Sequence, residues 1–560
     1  MLSKKIIFLV LISVILQSCL LFFSALKTSG GIVFQPSGYH DAIWHLALIS
    51  QLKENIPPLH PAMAGIKLIN YHYLWDLFLA ILSKIFLINS FTLYFKIIPP
   101  LLILGFSLVF FLFVQNLFNN EQISFWALFF CLLGGSFSYL IPLCSGINKQ
   151  WSESSFWVSQ TFSNLINQHL VVSLILFFTI NTLLLKYLRQ NKKVFLSYIF
   201  ILIIILPFIK SYAGVVAFLG LGVLGIKRLF KNKDISLILT VVIGLIVVLT
   251  IYYKLNLSSG FPFFFSPGWF LKSMVEASDR LDLPILALRE EYYSRANNYL
   301  GIIVIRILEF FIFFIGNLGT RIIGLANLLF FWIKEKKERD IHLFFATIFI
   351  FSTLFPLFFL QQGVVWNSIQ FWYYALPIVS IYAGESFFSY FKNIQLNYYK
   401  VTVIIFLIIL TLPTSLKTFL DQTNPKKMIL IPNDLLRITK YLDKNSQKNS
   451  VIVIEPKGIQ FFSSIVYLLS KREVFLSDPH TLEITMINYK NRLNKLEAVF
   501  EKKTDFLTLK QIEPRVEFVL RENIDKIQDK KKNKQIEVKQ EKLELNLVLK
   551  TNKYLLLKYK

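Results

Sequence analysis

Apolar runs of about 18–22 residues recur from residue 6 to about residue 419, separated by short polar stretches. Each run is long enough, as a helix, to cross a hydrocarbon core of about 30 Å. The candidate spans are roughly 6–26, 96–118, 123–143, 165–187, 194–210, 211–226, 234–253, 317–333, 341–360, 371–391 and 400–419. Two further stretches are ambiguous: 73–88 (YLWDLFLAILSKIFLI) and 299–316 (YLGIIVIRILEFFIFFIG), the latter interrupted by Arg306 and Glu309. From about residue 420 the pattern changes. VIVIEP (451–456) and EVFLSD (473–478) read as short strands with a helix, GIQFFSSIVYLLS, between them. LEITMINYKNRLNKLEAVF (482–500) reads as a second helix, and the end, LELNLVLKTNKYLLLKYK, as a hairpin around a TNK turn.

Charge turns this list into a topology. KYLRQNKK (186–193), KRLFKNK (227–233) and KEKKER (334–339) belong on the cytoplasmic side. All three fall there when 73–88 and 299–316 lie in the interface rather than across the membrane. The expectation is about eleven spans with the N-terminus in the cytoplasm and the C-terminal segment outside. Three long outer segments follow: 27–95, 144–164 and 254–298. Composition agrees, with 55% hydrophobic residues and 56 phenylalanines in 560, more apolar surface than a soluble chain can bury. The net charge of +25 would suit nucleic acid, but the lysines and arginines sit in span flanks, so topology explains them. The lysine-rich 523–543 reads as a solvated helix or loop. MLSKKIIFLVLISVILQSCLLFF reads as an uncleaved first span, being longer than a signal peptide's apolar core. Cys19, Cys131 and Cys144 show no metal or disulfide spacing. No GxGxxG, Walker A or HExxH pattern lies in a supporting context, so nucleotide-driven chemistry is not indicated.

The polar residues gather just after the first span. Four of the seven histidines, His40, His45, His60 and His72, fall in GGIVFQPSGYHDAIWHLALISQLKENIPPLHPAMAGIKLINYHYLWD, with Asp41 and Asp76. Asp41 stands four residues before His45, one helix face apart, and is equally readable as a helix N-cap. His40, His45, His72 and Asp76 are candidate ligands for a divalent ion such as Mg or Mn, although their spacing matches no metal motif and no cofactor is required by the pattern. Elsewhere His169 opens a span at NQHLVVSLILFF, Lys210 lies between two spans, and Arg321 begins RIIGLANLLFF. These cations suit a phosphate, or snorkel to headgroups, the reading preferred for Arg321. Glu153 is a candidate second acid beside Asp76, and WNSIQFWYYALP (366–377) an aromatic belt or sugar-stacking surface.

The segment YHDAIWHLALISQLKENIPPLHPAMAGIKLINYHYLWD, followed by many spans and an appended SSIVYLLSKREVFLSDPH segment, resembles the GT-C superfamily of polyprenyl-phosphate-dependent membrane glycosyltransferases, which includes protein O-mannosyltransferases and aminoarabinose transferases. The resemblance implies an all-α polytopic membrane domain of GT-C type over 1–419, with interfacial helices in 27–95, and a small α/β extracytoplasmic domain over 420–560. It implies transfer of a hexosyl or pentosyl group to an extracytoplasmic glycan, lipid or protein, at a bacterial cytoplasmic membrane. In such enzymes a first-loop aspartate is the catalytic base, and Asp41 is the matching position, here flanked by His40 and Ala42 instead of a second acid. His45, His72, His169, Lys210 and Arg321 are then candidates for the donor phosphate. The rival classes are a flippase or transporter of lipid-linked glycans, a polymerase of such glycans, and a non-catalytic scaffold. A carrier would show mid-span charges and internal repeats; this chain has few intramembrane charges and no evident repeat.

Overall fold

The computed structural model describes residues 3–145, 149–164, 166–255, 262–334, 338–523 and 545–559. Most of the lysine-rich tract 523–543 therefore lies outside the described residues, as does the Cys144 side chain. The chain divides into two compact units. One comprises Met1–Leu21, Ile97–Leu255 and Gly260–Asn424; the other joins Phe22–Lys96 to Pro425–Lys560.

The first unit is helical. Among the described residues seven helices are long and apolar enough to cross a membrane, nine if two bent pairs each count as one span. The expected count of about eleven is not confirmed. The pair Glu121–Leu133 and Phe137–Leu143 bends by 61°, and the pair Asn397–Thr411 and Pro413–Thr423 by 46°. Pro413 lacks the N–H that would continue the second helix. Gly134 and Gly135 break the first, and a Cβ on Gly134 would lie 2.6 Å from the Arg321 guanidinium. The stretch 299–316, expected as an interfacial helix, instead runs on with 317–333 as one 35-residue candidate span, Tyr299–Ile333. Its interrupting charges are paired: Arg306 bonds Glu290 and, at 3.0 Å, Glu309. Apolar side chains such as Leu239, Ile246 and Leu249 face outward from Ser236–Lys254. An exposed apolar face of that kind needs lipid rather than water, and the protein is a multi-pass membrane protein.

The second unit is α/β. Its main sheet has the order Glu473–Val474, Val451–Ile454, Val516–Glu522, Tyr554–Tyr559, Leu545–Lys550. The first two junctions are parallel and the last two antiparallel. The two strands and the closing hairpin read from the sequence are present, while Val516–Glu522, the central strand, was not foreseen. The single helix expected over 482–500 is two, Pro479–Ile484 and Lys490–Phe500. A second sheet pairs Gly31–Phe34 with both Leu26–Thr28 and Ile429–Pro432, so the first loop and the C-terminal segment share one fold. Gly31 is obligatory there: its φ is +147°, and a Cβ would meet the Ile431 carbonyl oxygen at 2.0 Å. The helix Leu74–Ile85, with 12 residues, is about 18 Å long and too short to span.

Candidate active site

The site is built on the helix Pro36–Leu52. Pro36 at its start presets φ and needs no N–H partner. Beyond it Ile43, Leu46, Ala47, Leu48 and Ile49 are all buried, so the helix is packed on nearly every side. Asp41 is the exception, the one exposed residue of this helix among the described side chains, with 71% of its side chain accessible. The N-cap reading of Asp41 does not hold: the cap is Gln35, six residues earlier. Asp41 lies past the first turn, where no orphan N–H remains to be capped.

His40 links Asp41 to a residue that the sequence did not single out. Its Nε2 stands 2.9 Å from Oδ1 of Asp478, and its Nδ1 stands 3.4 Å from Oδ1 of Asp41. Both neighbours are acceptors, so both ring nitrogens donate only in the imidazolium form. Burial disfavours that charge, but the hydrogen bonds and charges of Asp41 and Asp478 outweigh it and raise His40 to about 10. Asp478 is 1% exposed; its Oδ2 accepts from Ser464 Oγ at 3.0 Å. His480 lies edge-on to His40, with centroids 5.3 Å apart. Burial and then the charge on His40 push His480 down. Tyr39 meets Ser463 at 3.1 Å, and burial raises its hydroxyl to about 12. The clue to this half of the site was the seventh histidine, in Ser477-Asp478-Pro479-His480, but nothing in the spacing tied it to residue 40.

The remaining first-loop candidates separate from this cluster. His45 Nδ1 bonds Asp76 at 3.1 Å, both side chains buried. Asp76 sits in the first turn of Leu74–Ile85, where the helix dipole favours an acid. His72 stacks on Tyr71 at 4.8 Å. Of the four residues named for a divalent ion, His40 turns to Asp478 while His45 bonds Asp76. His60 is fully structural. Its Nδ1 accepts from the Ala62 N–H at 3.2 Å, which leaves Nε2 to donate to Thr485 Oγ1 at 3.2 Å, and burial lowers it to about 3.

The helical unit holds the other candidates. Arg321 does not snorkel. It is fully buried, and its guanidinium donates to the carbonyls of Phe130 and Gly134 and to Gln160 Oε1. That arrangement clamps the Gly134 break and spends the donors a phosphate would need. His169 is buried in the first turn of Gln168–Gln190, behind the Asn167 cap. Lys210 is buried between Val194–Ile209 and Ser211–Asn232, its ammonium 5.7 Å above the Tyr212 ring. Glu153 bonds Ser163 and, at 3.1 Å, Thr418; burial raises it to about 7 despite those bonds. Trp372 and Tyr374 are fully buried, which removes them as a sugar-stacking surface.

No protein-family model matches the sequence, and no curated protein matches it. Solved structures do. The apo oligosaccharyltransferase of Archaeoglobus fulgidus is similar with a TM-score of 0.56 and 12% identity, over 92% of this chain and 69% of its own. The oligosaccharyltransferase AglB from Archaeoglobus fulgidus, in complex with an inhibitory peptide and a dolichol-phosphate, gives 0.50 and 12% identity, over 93% of this chain and 69% of its own. ArnT from Cupriavidus metallidurans, bound to undecaprenyl phosphate, aligns over 99% of this chain and 97% of its own at 10% identity, with a TM-score of 0.41. At such identities the oligosaccharyltransferase likeness speaks for the fold, and that fold is of GT-C type.

Proposed function

We propose that this membrane protein of GT-C fold is a glycosyltransferase that moves a sugar from a polyprenyl-phosphate donor to an extracytoplasmic acceptor, with Asp41 as base. The observation that carries the reading is the exposed Asp41 carboxylate on an otherwise buried helix, in a fold whose solved example holds a dolichol-phosphate. A solvent-facing carboxylate fixed by its helix can accept the proton of an acceptor hydroxyl. The freed oxygen then attacks the anomeric carbon, and the bond from that carbon to the phosphate oxygen breaks. The electron pair leaves on the lipid phosphate, and the proton rests on Asp41. This single displacement inverts the anomeric centre. The departing phosphate needs a cation to meet its charge. Lys210→Met tests whether that cation of the helical unit serves, since the donors of Arg321 are already engaged. No step is assigned to a metal.

The proposal places the chain in a bacterial cytoplasmic membrane, with the α/β unit on the outer side. Lysine-rich loops such as 227–233 support that orientation. The test is to incubate the full chain in nanodiscs with radiolabelled polyprenyl-phosphate sugars and host membrane acceptors, with and without EDTA. Label moving to an acceptor while free polyprenyl phosphate accumulates is the expected result. In sealed proteoliposomes of the same protein, lipid-linked glycan crossing the bilayer with no new glycosidic bond would replace the reading with a carrier.

A further inference from the structure

We propose that Asp478 is a positioning residue for the Asp41 base, acting through His40; the inference rests on the transferase reading above. Three residues stand in a line, with the His40 ring between two carboxylates that face its opposite nitrogens at 2.9 and 3.4 Å. The two ends differ in kind. Asp478 is buried, takes a second hydrogen bond from Ser464, and has a backbone φ of +48°. A non-glycine residue in that region persists where its surroundings over-determine it. Two backbone bonds do so here, from Asp478 N–H to the Phe461 carbonyl at 2.6 Å and from Thr481 N–H to the Asp478 carbonyl at 3.1 Å. The inner end of the line is therefore rigid, while Asp41 at the outer end faces solvent.

A plainer account would make the His40–Asp478 bond a tie that docks the first loop on the C-terminal segment. That tie is redundant. Gly31–Phe34 already pairs with Ile429–Pro432. The Ala64 N–H bonds the Val474 carbonyl and the Ser477 N–H bonds the Ala62 carbonyl, each at 2.8 Å. Arg492 adds a bond to the Ala64 carbonyl at 3.0 Å. What the His40 bond adds is orientation: with Nε2–H held by Asp478, ring rotation stops and Nδ1–H is presented to Asp41. Charge defines the use. Two carboxylates against one imidazolium leave the cluster net negative, so it repels a phosphate and suits the hydroxyl of the acceptor. The C-terminal segment, on this account, shapes the acceptor side of the reaction through a group that never touches the substrate.

The test uses the full chain in nanodiscs and two readouts. In the first, diethyl pyrocarbonate is applied at pH 7 and carbethoxylation of His40 is mapped by mass spectrometry, since only the unprotonated ring reacts. Wild type should be slow at His40, and Asp478→Ala about tenfold faster or more, in line with a pKa falling back toward the ordinary value. In the second, label transfer is followed for Asp478→Ala, Asp478→Asn and Asp478→Glu. A fall of about a hundredfold in kcat for Asp478→Ala, the size of a 1 Å misplacement, with donor KM unchanged, is expected. Asp478→Asn keeps the shape but not the charge and should fall in between, and Asp478→Glu should recover part of the loss. A His40 footprint equal in wild type and Asp478→Ala overturns the pairing. Unchanged kcat in Asp478→Ala overturns the positioning role. A footprint that changes in Asp478→Ala while the wild type transfers no label overturns the transferase reading instead, and with it the catalytic consequence of the pair.

Discussion

Residue identity decided more here than residue position. Asp41 stood out in the sequence as the acid beside His40 in a histidine-rich first loop, and its side chain faces solvent from a largely buried helix. Asp478 did not stand out, because 436 residues of chain lie between it and Asp41 and no periodicity links them. Arg321 misled for a different reason: an arginine at a span start looks the same in sequence whether it reaches headgroups or carbonyls. Arg321→Met should orphan the Gly134 and Gln160 acceptors at about 1–3 kcal/mol each, while the Phe130 carbonyl keeps the Gly134 N–H. It should lower the thermal midpoint in detergent while leaving donor KM unchanged in the protein that survives; a raised KM at unchanged stability would restore the phosphate role. The histidines give the α/β unit a pH signature. His40, facing Asp41, Asp478 and His480, is raised, so its contribution is full below about 6.5, its ordinary value, and is lost as pH climbs toward about 10. His60 is lowered, so it costs nothing above about 6.5 and destabilises as pH falls toward about 3. Thermal unfolding against pH should therefore fall on both sides of neutrality, with His40→Gln flattening the alkaline limb and His60→Gln the acid limb.

At the scale of elements, apolar runs located the helices well and their breaks poorly. Run length cannot show that Gly134–Gly135 and Pro413 bend two spans, because the bend depends on what packs into the gap. Helix contacts depend on small residues in the same way. Gly384 on Trp372–Phe391 lies against Ala127 on Glu121–Leu133, where a Cβ would fall 2.2 Å from the Ala127 nitrogen. Since backbone cannot yield as a side chain can, Gly384→Ala should cost about 1–3 kcal/mol, read as a lower thermal midpoint of the helical unit. No change would mean the two helices are looser than this contact requires. In the C-terminal segment the alternating hairpin was readable, yet Val516–Glu522 was missed because VEFVLRE mixes alternation with a continuous apolar run, the pattern of a strand buried in mid-sheet.

The whole molecule departs from linear order. The first loop folds with a segment that begins more than 300 residues later, which hydropathy cannot reveal because pairing between distant strands leaves no local mark. Gly31 is the point to probe it. Gly31→Val places a side chain against the Ile431 carbonyl, so amides in 26–34 and 429–445 should lose exchange protection together, while helices of 97–255 keep theirs. Loss confined to 26–34 would separate the two strands' stability. The fold class was readable because bilayer-length apolar runs have few other uses; the catalytic reading rests on one carboxylate. The most direct measurement is label transfer from the polyprenyl-phosphate sugar by wild type, Asp41→Asn and Asp41→Glu, each verified as folded. Transfer by wild type, a loss of at least about a hundredfold in Asp41→Asn and partial recovery in Asp41→Glu are expected; equal transfer by wild type and Asp41→Asn would contradict the assignment of the base.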